Sequence, residues 1–280
     1  MPGLLQIPSG RFYSGQFLAA VLAEFVGSLL FTLCGGVSPF GKAVGQVQFK
    51  TEGAVADFTP WGNGLTLAAL VYITANVSGG HLNPAVTLAT MVTGHISVKK
   101  GCVYILAQLV GSIFGALLTA GLVPGAEVGQ GIGAVGCFHE YAGVSPGQLF
   151  GWELMMTFVL VSVVYAVAVG EPNFGIVGPL IVGLTLSAMV SIGSQYTGAS
   201  LNPARVFGPT VVYHCFWNRL WIYWLGEFLG GLAAGIVAWP LYGTTAPWLL
   251  ALGSWSRQPE GYDAAAGKAA HTASEDEGRV

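Results

Sequence analysis

Charge is scarce in this chain. Lys, Arg, Asp and Glu together supply 8% of its 280 residues, against about 25% in an ordinary soluble domain. Most water-soluble folds are thereby excluded. The net charge of -3 is too small to point to nucleic acid or to a polybasic membrane patch. Cysteine is scarce as well: Cys34, Cys102, Cys137 and Cys215 form no CxxC pair and no His/Cys cluster at ligand spacing. Neither a structural metal nor a disulfide framework is expected. HExxH and clustered histidines are also missing, so no enzyme and no cofactor is expected. What the chain has instead is apolar surface and glycine. Hydrophobic residues reach 53%, mean hydropathy is +0.65, and glycine occupies 42 positions, about twice the usual share. No collagen period accompanies it. Membrane helices packed closely through small residues account for both excesses.

Crossing the hydrocarbon takes roughly 20 largely uncharged residues. Six segments qualify, near 16–37, 62–78, 100–122, 149–169, 177–195 and 219–241. Trp61, Trp152, Trp217, Trp221, Trp239 and Trp248 stand near span ends, where amphipathic rings favour the interface. An even number of crossings puts both termini on one side. Lys99, Lys100, Arg11 and Arg257 favour the cytoplasm for that side, with Lys42 and Lys50 in opposition. From about Ser254 the composition turns to Ala, Gly, Ser and charge, which reads as a disordered tail.

An internal repeat organises the rest. Asn83-Pro84-Ala85 recurs as Asn202-Pro203-Ala204, each after a glycine-containing stretch, Ser78-Gly79-Gly80-His81-Leu82 and Thr197-Gly198-Ala199-Ser200-Leu201. Glu24 in the first span answers to Glu153 in the fourth. Gln108 and Glu227 each lie 25 residues after their asparagine. Three spans per half force opposite orientations, so the repeat is inverted. The expected fold is an all-α membrane protein with six transmembrane helices and two re-entrant half-helices. Its parts are a cytoplasmic segment 1–15, a first repeat 16–122, an extracytoplasmic loop 123–148, a second repeat 149–245 and a cytoplasmic tail 246–280.

Asn is among the best helix caps and Pro suits the first helical position. Each Asn-Pro-Ala therefore starts a helix, and the run beyond it, to Thr93 in one copy and to about Tyr213 in the other, is too short to cross. Irregular backbone at membrane depth is tolerated only when buried in protein or facing a wet cavity. The carbonyls of Gly79, Gly80, His81, Gly198 and Ala199 are thus expected to line a pore. By symmetry the half-helices meet tip to tip and turn both positive dipole ends on one spot, which repels cations and protons. Asn83 and Asn202 would donate there to one passing oxygen.

Gly79-Gly80-His81-Leu82-Asn83-Pro84-Ala85-Val86-Thr87 and Tyr196-Thr197-Gly198-Ala199-Ser200-Leu201-Asn202-Pro203-Ala204-Arg205, on a six-span plan, resemble the major intrinsic proteins, the aquaporin and glycerol-facilitator family. The resemblance covers about residues 15–245. It implies a homotetramer with one pore per subunit, in the plasma membrane or an intracellular vacuole-type membrane. Arg205 is costly at membrane depth unless it meets water and carbonyls, and the resemblance places it in an outer constriction with Asn63, Val190 and Ala199. Asn63 and Val190 are smaller than the aromatic and the histidine of strict water channels, so a wider constriction is implied. Val206 lacks the acid that glycerol facilitators carry after the arginine, and Tyr223-Trp224 look like the aromatic pair of the water group. His139 is a candidate for the outer vestibule.

Glu24 and Glu153 resemble buried acids that brace the half-helix loops. Glu227 is less easily placed, since the family often has an apolar residue there. It lines the wall, pairs with Gln108, or takes up the other half's backbone. The function implied is passive passage of water and small neutral solutes such as urea, ammonia or glycerol, within a lipid bilayer and with no nucleic-acid partner. The alternatives are a glycerol or small-solute facilitator, a secondary transporter, or a closed-pore junction protein.

Overall fold

The computed structural model describes residues 13–36, 46–48, 55–131, 136–138, 140–141, 143–170 and 174–242. The tail, most of the N-terminal segment and His139 lie outside the described residues. Among the described residues there are eight α-helices: α1 (Tyr13–Gly36), α2 (Thr59–Ser78), α3 (Pro84–Val92), α4 (Val98–Leu122), α5 (Pro146–Val164), α6 (Gly178–Thr197), α7 (Pro203–Tyr213) and α8 (Trp217–Tyr242). A small antiparallel ribbon, β1 (Gln46–Gln48) with β2 (Val55–Asp57), sits in the connection after α1. Among these residues it is the one departure from an all-helical plan.

The helix limits come from local chemistry. Ser145 and Gln148 form a capping box ahead of Pro146 at the start of α5, and Ser97 caps α4 through the Lys100 N–H. Gly79 ends α2 with φ +97° and Gly198 ends α6 with φ +83°, the left-handed turn that glycine adopts without a steric cost. Among the described residues, five stretches are long and apolar enough to cross a membrane: Gly15–Gly35, Val98–Leu122, Pro146–Val169, Gly175–Thr197 and Trp217–Tyr242. The sixth long helix, α2, has 20 residues but spends several of them on polar groups. Asn63, Thr74 and Ser78 are all buried, on the side of α2 that faces the half-helix tips and their supports.

The two halves pack alike. Within each, the first helix runs against the last, α1 on α4 and α5 on α8. Gly111 and Gly115 of α4 lie where a Cβ would strike the backbone of Phe25 and Leu29, and Gly230 of α8 lies against Leu154 in the same way. These glycines therefore make contacts inside one subunit. Between the halves, α2 meets α6 at Gly64 and Gly183, whose bare Cα atoms face each other's carbonyls. Each half-helix packs on the last helix of the other half. Gly231 of α8 carries Ala85 of α3, and Ser112 of α4 donates to the Ala204 carbonyl while it accepts the Gly208 N–H at 2.9 Å.

One expectation is overturned. Cys137 and Cys215 form a disulfide with a Cα–Cα distance of 6.3 Å. The 78-residue separation hides the pairing in the sequence. The loop before α5 brings them together by returning over the end of α7, where Gly129 N–H donates to Val212 O at 2.9 Å and Gly131 N–H to Tyr213 O at 2.7 Å.

Candidate functional site

The two half-helices meet at their N-termini. Asn83 caps α3 and Asn202 caps α7 in nearly the same extended backbone, with φ -153° in both. Each side-chain oxygen accepts the N–H of its own half's alanine, Ala85 at 2.8 Å and Ala204 at 2.9 Å. Each Nδ2 donates to the opposite half: Asn83 to Leu201 O and Asn202 to Leu82 O, both at 2.8 Å. An amide nitrogen has two hydrogens, so one N–H on each asparagine is left over for a further acceptor.

The strands of backbone leading to the asparagines are held from behind by buried acids. Glu24 Oε1 accepts from Ser78 Oγ at 2.6 Å and from the His81 N–H at 2.9 Å, and its Oε2 accepts from the Leu82 N–H at 2.7 Å. Glu153 repeats the pattern. Its Oε1 accepts from Thr197 Oγ1 at 2.6 Å and from the Ser200 N–H at 3.1 Å, and its Oε2 accepts from the Leu201 N–H at 2.9 Å. In a trans peptide the N–H and the preceding C=O point in opposite directions. Holding the N–H groups of 81 and 82 against Glu24 thus turns the carbonyls of Gly80 and His81 away from it. Glu153 does the same for Ala199 and Ser200. Left-handed backbone at Gly80 and Leu82 (φ +65° and +50°) matches Ala199 and Leu201 (φ +52° and +56°). Tyr104 and Tyr223 complete the brace by donating to Ser78 O at 3.0 Å and Thr197 O at 2.6 Å.

Arg205, one turn into α7, is 4% exposed. Its Nη1 donates to Ala199 O at 2.8 Å and Ser200 O at 3.2 Å, the carbonyls that Glu153 aims outward, and its Nη2 donates to Asn63 Oδ1 at 2.7 Å. Asn63 is itself fixed by donating from Nδ2 to Thr59 O at 3.0 Å. No carboxylate bonds the guanidinium among the described residues. Val190 is buried in the same apolar cluster as Phe31 and Ala199, and the Phe31 ring lies 5.4 Å from the Arg205 guanidinium carbon. Hydrogen bonds thus join Arg205 to Ala199 and Asn63, while Val190 shares an apolar cluster with Ala199.

Two features escape sequence reasoning. Phe138 lies 4.8 Å from the guanidinium carbon and packs with Val206 and Tyr223. Beside it, the Cys137–Cys215 disulfide and a Glu140–Arg219 ion pair at 2.9 Å pin the loop. A lone aromatic in a loop carries no periodic signal that would have found it. Glu227 takes none of the three places considered for it: its Oε1 accepts the N–H of Asn202, in its own half, at 2.9 Å. Gln108 instead donates to Glu24 Oε2 at 2.8 Å and Thr87 Oγ1 at 2.9 Å. His81 sits beside Tyr104 with its Nδ1 3.2 Å from Thr87 Oγ1.

Comparison with known proteins agrees with this architecture. The family model described as "Major intrinsic protein" matches residues 11–238. The chain is 38% identical to a protein named "Probable aquaporin TIP-type" from Medicago truncatula, over 79% of this chain and 85% of that one. It is 38% identical to "Aquaporin TIP1-1" from Arabidopsis thaliana over the same shares. Among solved structures, the aquaglyceroporin from Plasmodium falciparum superposes with a TM-score of 0.63 at 22% identity, covering 84% of this chain and 99% of that one; this likeness speaks to the fold. With its paired Asn-Pro-Ala caps, its inverted halves and these relatives, the chain belongs to the major intrinsic protein family.

Proposed function

We propose that the chain is a passive transmembrane channel for water that also admits small neutral solutes. The single observation that carries the reading is the reciprocal pair, Asn83 Nδ2 to Leu201 O and Asn202 Nδ2 to Leu82 O. It abuts two helix N-termini and leaves one N–H on each side for a passing molecule. Water reaching this point accepts from both asparagines, so its own hydrogens turn away from the helix tips toward its neighbours. The file is broken for proton hopping there, and the two dipoles repel cations. On either side the carbonyls of Gly79, Gly80, His81, Gly198 and Ala199 supply acceptors, while Val190 and Phe31 give an apolar wall that keeps binding weak enough for release.

Asn63, Val190, Ala199 and Arg205 form the outer filter in this reading, with Phe138 as a fifth wall. Arg205 has its Nη donors turned toward accepting oxygens and excludes cations by charge. The small side chains at Asn63 and Val190 leave room for urea, ammonia or glycerol. Relatives named aquaporins support water as a permeant. Glu24 and Glu153 support the carbonyl ladder without entering the lumen.

The Cys137–Cys215 disulfide favours an oxidising compartment on the side of the loop before α5. With six crossings, both termini then face the cytoplasm, in keeping with Lys99 and Lys100 at the start of α4. Apolar side chains on the outer faces, among them Leu18, Leu22, Leu106 and Ile192, are available to lipid and to the neighbouring copies of a homotetramer.

The test is stopped-flow light scattering on proteoliposomes. A channel gives fast osmotic shrinkage with the low activation energy of water moving through a pore. Saturable uptake coupled to an ion or proton gradient would overturn the reading in favour of a transporter, and shrinkage no faster than that of protein-free vesicles would favour a closed-pore junction protein.

A further inference from the structure

Glu227 stands where the first half has Gln108, each 25 residues after its asparagine. In the first half an amide hydrogen completes the bracket, since Gln108 Nε2 donates to Glu24 Oε2 at 2.8 Å. In the second half the corresponding neighbours are both acids. Three consecutive N–H groups, those of Ser200, Leu201 and Asn202, are accepted in order by Glu153 Oε1, Glu153 Oε2 and Glu227 Oε1 at 3.1, 2.9 and 2.9 Å. That sequence of acceptors sets the two carboxyl groups side by side along one stretch of backbone. Packing agrees, because a Cβ on Gly226 would lie 3.1 Å from the Cβ of Glu153.

Both acids are fully buried, at 0% exposure, and among the described residues no cation bonds either. Arg205 directs its Nη hydrogens to Ala199, Ser200 and Asn63. Two adjacent carboxylates out of reach of water cannot both stay ionised. Glu153 uses its oxygens on three donors, whereas Glu227 Oε2 is sealed from solvent and receives no hydrogen bond.

We propose that Glu227 is a positioning residue that carries a proton on Oε2 and donates it to Glu153. A carboxylic acid thereby reproduces the amide-to-carboxylate bond of the first half. Its Oε1 meanwhile holds the Asn202 N–H, so the pair fixes how Asn202 meets the water file. Oε2 is closed off from the lumen and forms no part of a proton path.

The infrared difference spectrum between the wild-type protein and Glu227→Gln, both in liposomes, tests this directly. It is expected to show loss of a carboxylic-acid C=O band. Loss of carboxylate bands instead, meaning an ionised Glu227, overturns the proposal. Water flux reads the positioning role: Glu227→Leu should lower it about tenfold, the worth of one buried hydrogen bond, and Glu227→Gln should restore it to within about twofold. Wild-type flux in Glu227→Leu overturns that role. Should the leucine variant fail to fold, the glutamine spectrum still decides. The flux arm rests on the channel reading, while the infrared arm does not. Wild-type vesicles no more permeable than bare lipid would sink the channel and leave the proton assignment standing.

Discussion

Replacing Asn63 by alanine removes Oδ1, the side-chain acceptor that Arg205 Nη2 meets at 2.7 Å. A hydrogen bond to a charged group contributes about 1.5–3 kcal/mol, and at 4% exposure the guanidinium finds little water to replace it. Nη1 keeps Ala199 O and Ser200 O, so Arg205 stays attached at one edge and swings at the other. The loss of stability should therefore be about 2 kcal/mol, short of unfolding a domain stabilised by about 5–15 kcal/mol. The functional effect should exceed the structural one, because the change frees the arginine and also deletes the side chain facing it. Urea and glycerol permeability, measured by light scattering in vesicles with matched protein content, should rise several-fold relative to water. Asn63→Gln keeps an acceptor and should fall between the alanine variant and the wild type. Unchanged solute-to-water ratios and an unchanged thermal midpoint in Asn63→Ala would refute the claim that this bond sets the width of the filter.

Three further outcomes are expected. Glu24→Ala leaves the His81 and Leu82 N–H groups without an acceptor, at about 1–3 kcal/mol each; detergent-solubilised protein should show a sharply lowered thermal midpoint, and a shift below about 2 °C would contradict the bracing role. Cys137→Ser removes a cross-link closing 78 residues, for which chain entropy gives about 4.5 kcal/mol; thermal scans with and without reductant should separate wild type from variant only without it. Burial holds His95 below its ordinary value of 6.5, so the unfolded chain binds the proton more readily. The associated stability is present above about pH 6.5 and is lost as the pH falls through the lower folded value. His95→Asn should therefore flatten the acid side of the thermal midpoint profile, and an unchanged profile would dismiss His95 as its source.

Much of this molecule was legible because its chemistry is written twice. Asn83 and Asn202 set the two halves in register, and that register carries Glu24 onto Glu153 and Gln108 onto Glu227. The starts of the short helices came from capping rules, whereas the left-handed stops at Gly79 and Gly198 emerge only in the structure. The proposed filter was less accessible: Asn63 and Val190 have no local signature, and only the resemblance suggests them. The disulfide was missed because Cys137 and Cys215 approach one another through a loop whose path depends on tertiary contacts with Val212 and Tyr213. Phe138 was missed for the same reason. The place of Glu227 could not be settled from sequence, since its partner, the Asn202 N–H, becomes available only once the left-handed turn at Leu201 has formed.

The exchange of walls between the halves, α3 resting on α8 and α7 on α4, bears on how the polypeptide is made. Synthesis runs from the N-terminus, so α3 emerges long before the surface it needs has been translated. Until Gly231 arrives to receive Ala85, that short helix has no finished seat. A span of the second half, α8, is thus the one that seals the first re-entrant turn, and an isolated N-terminal half would need a second molecule to supply what its own C-terminal half normally provides.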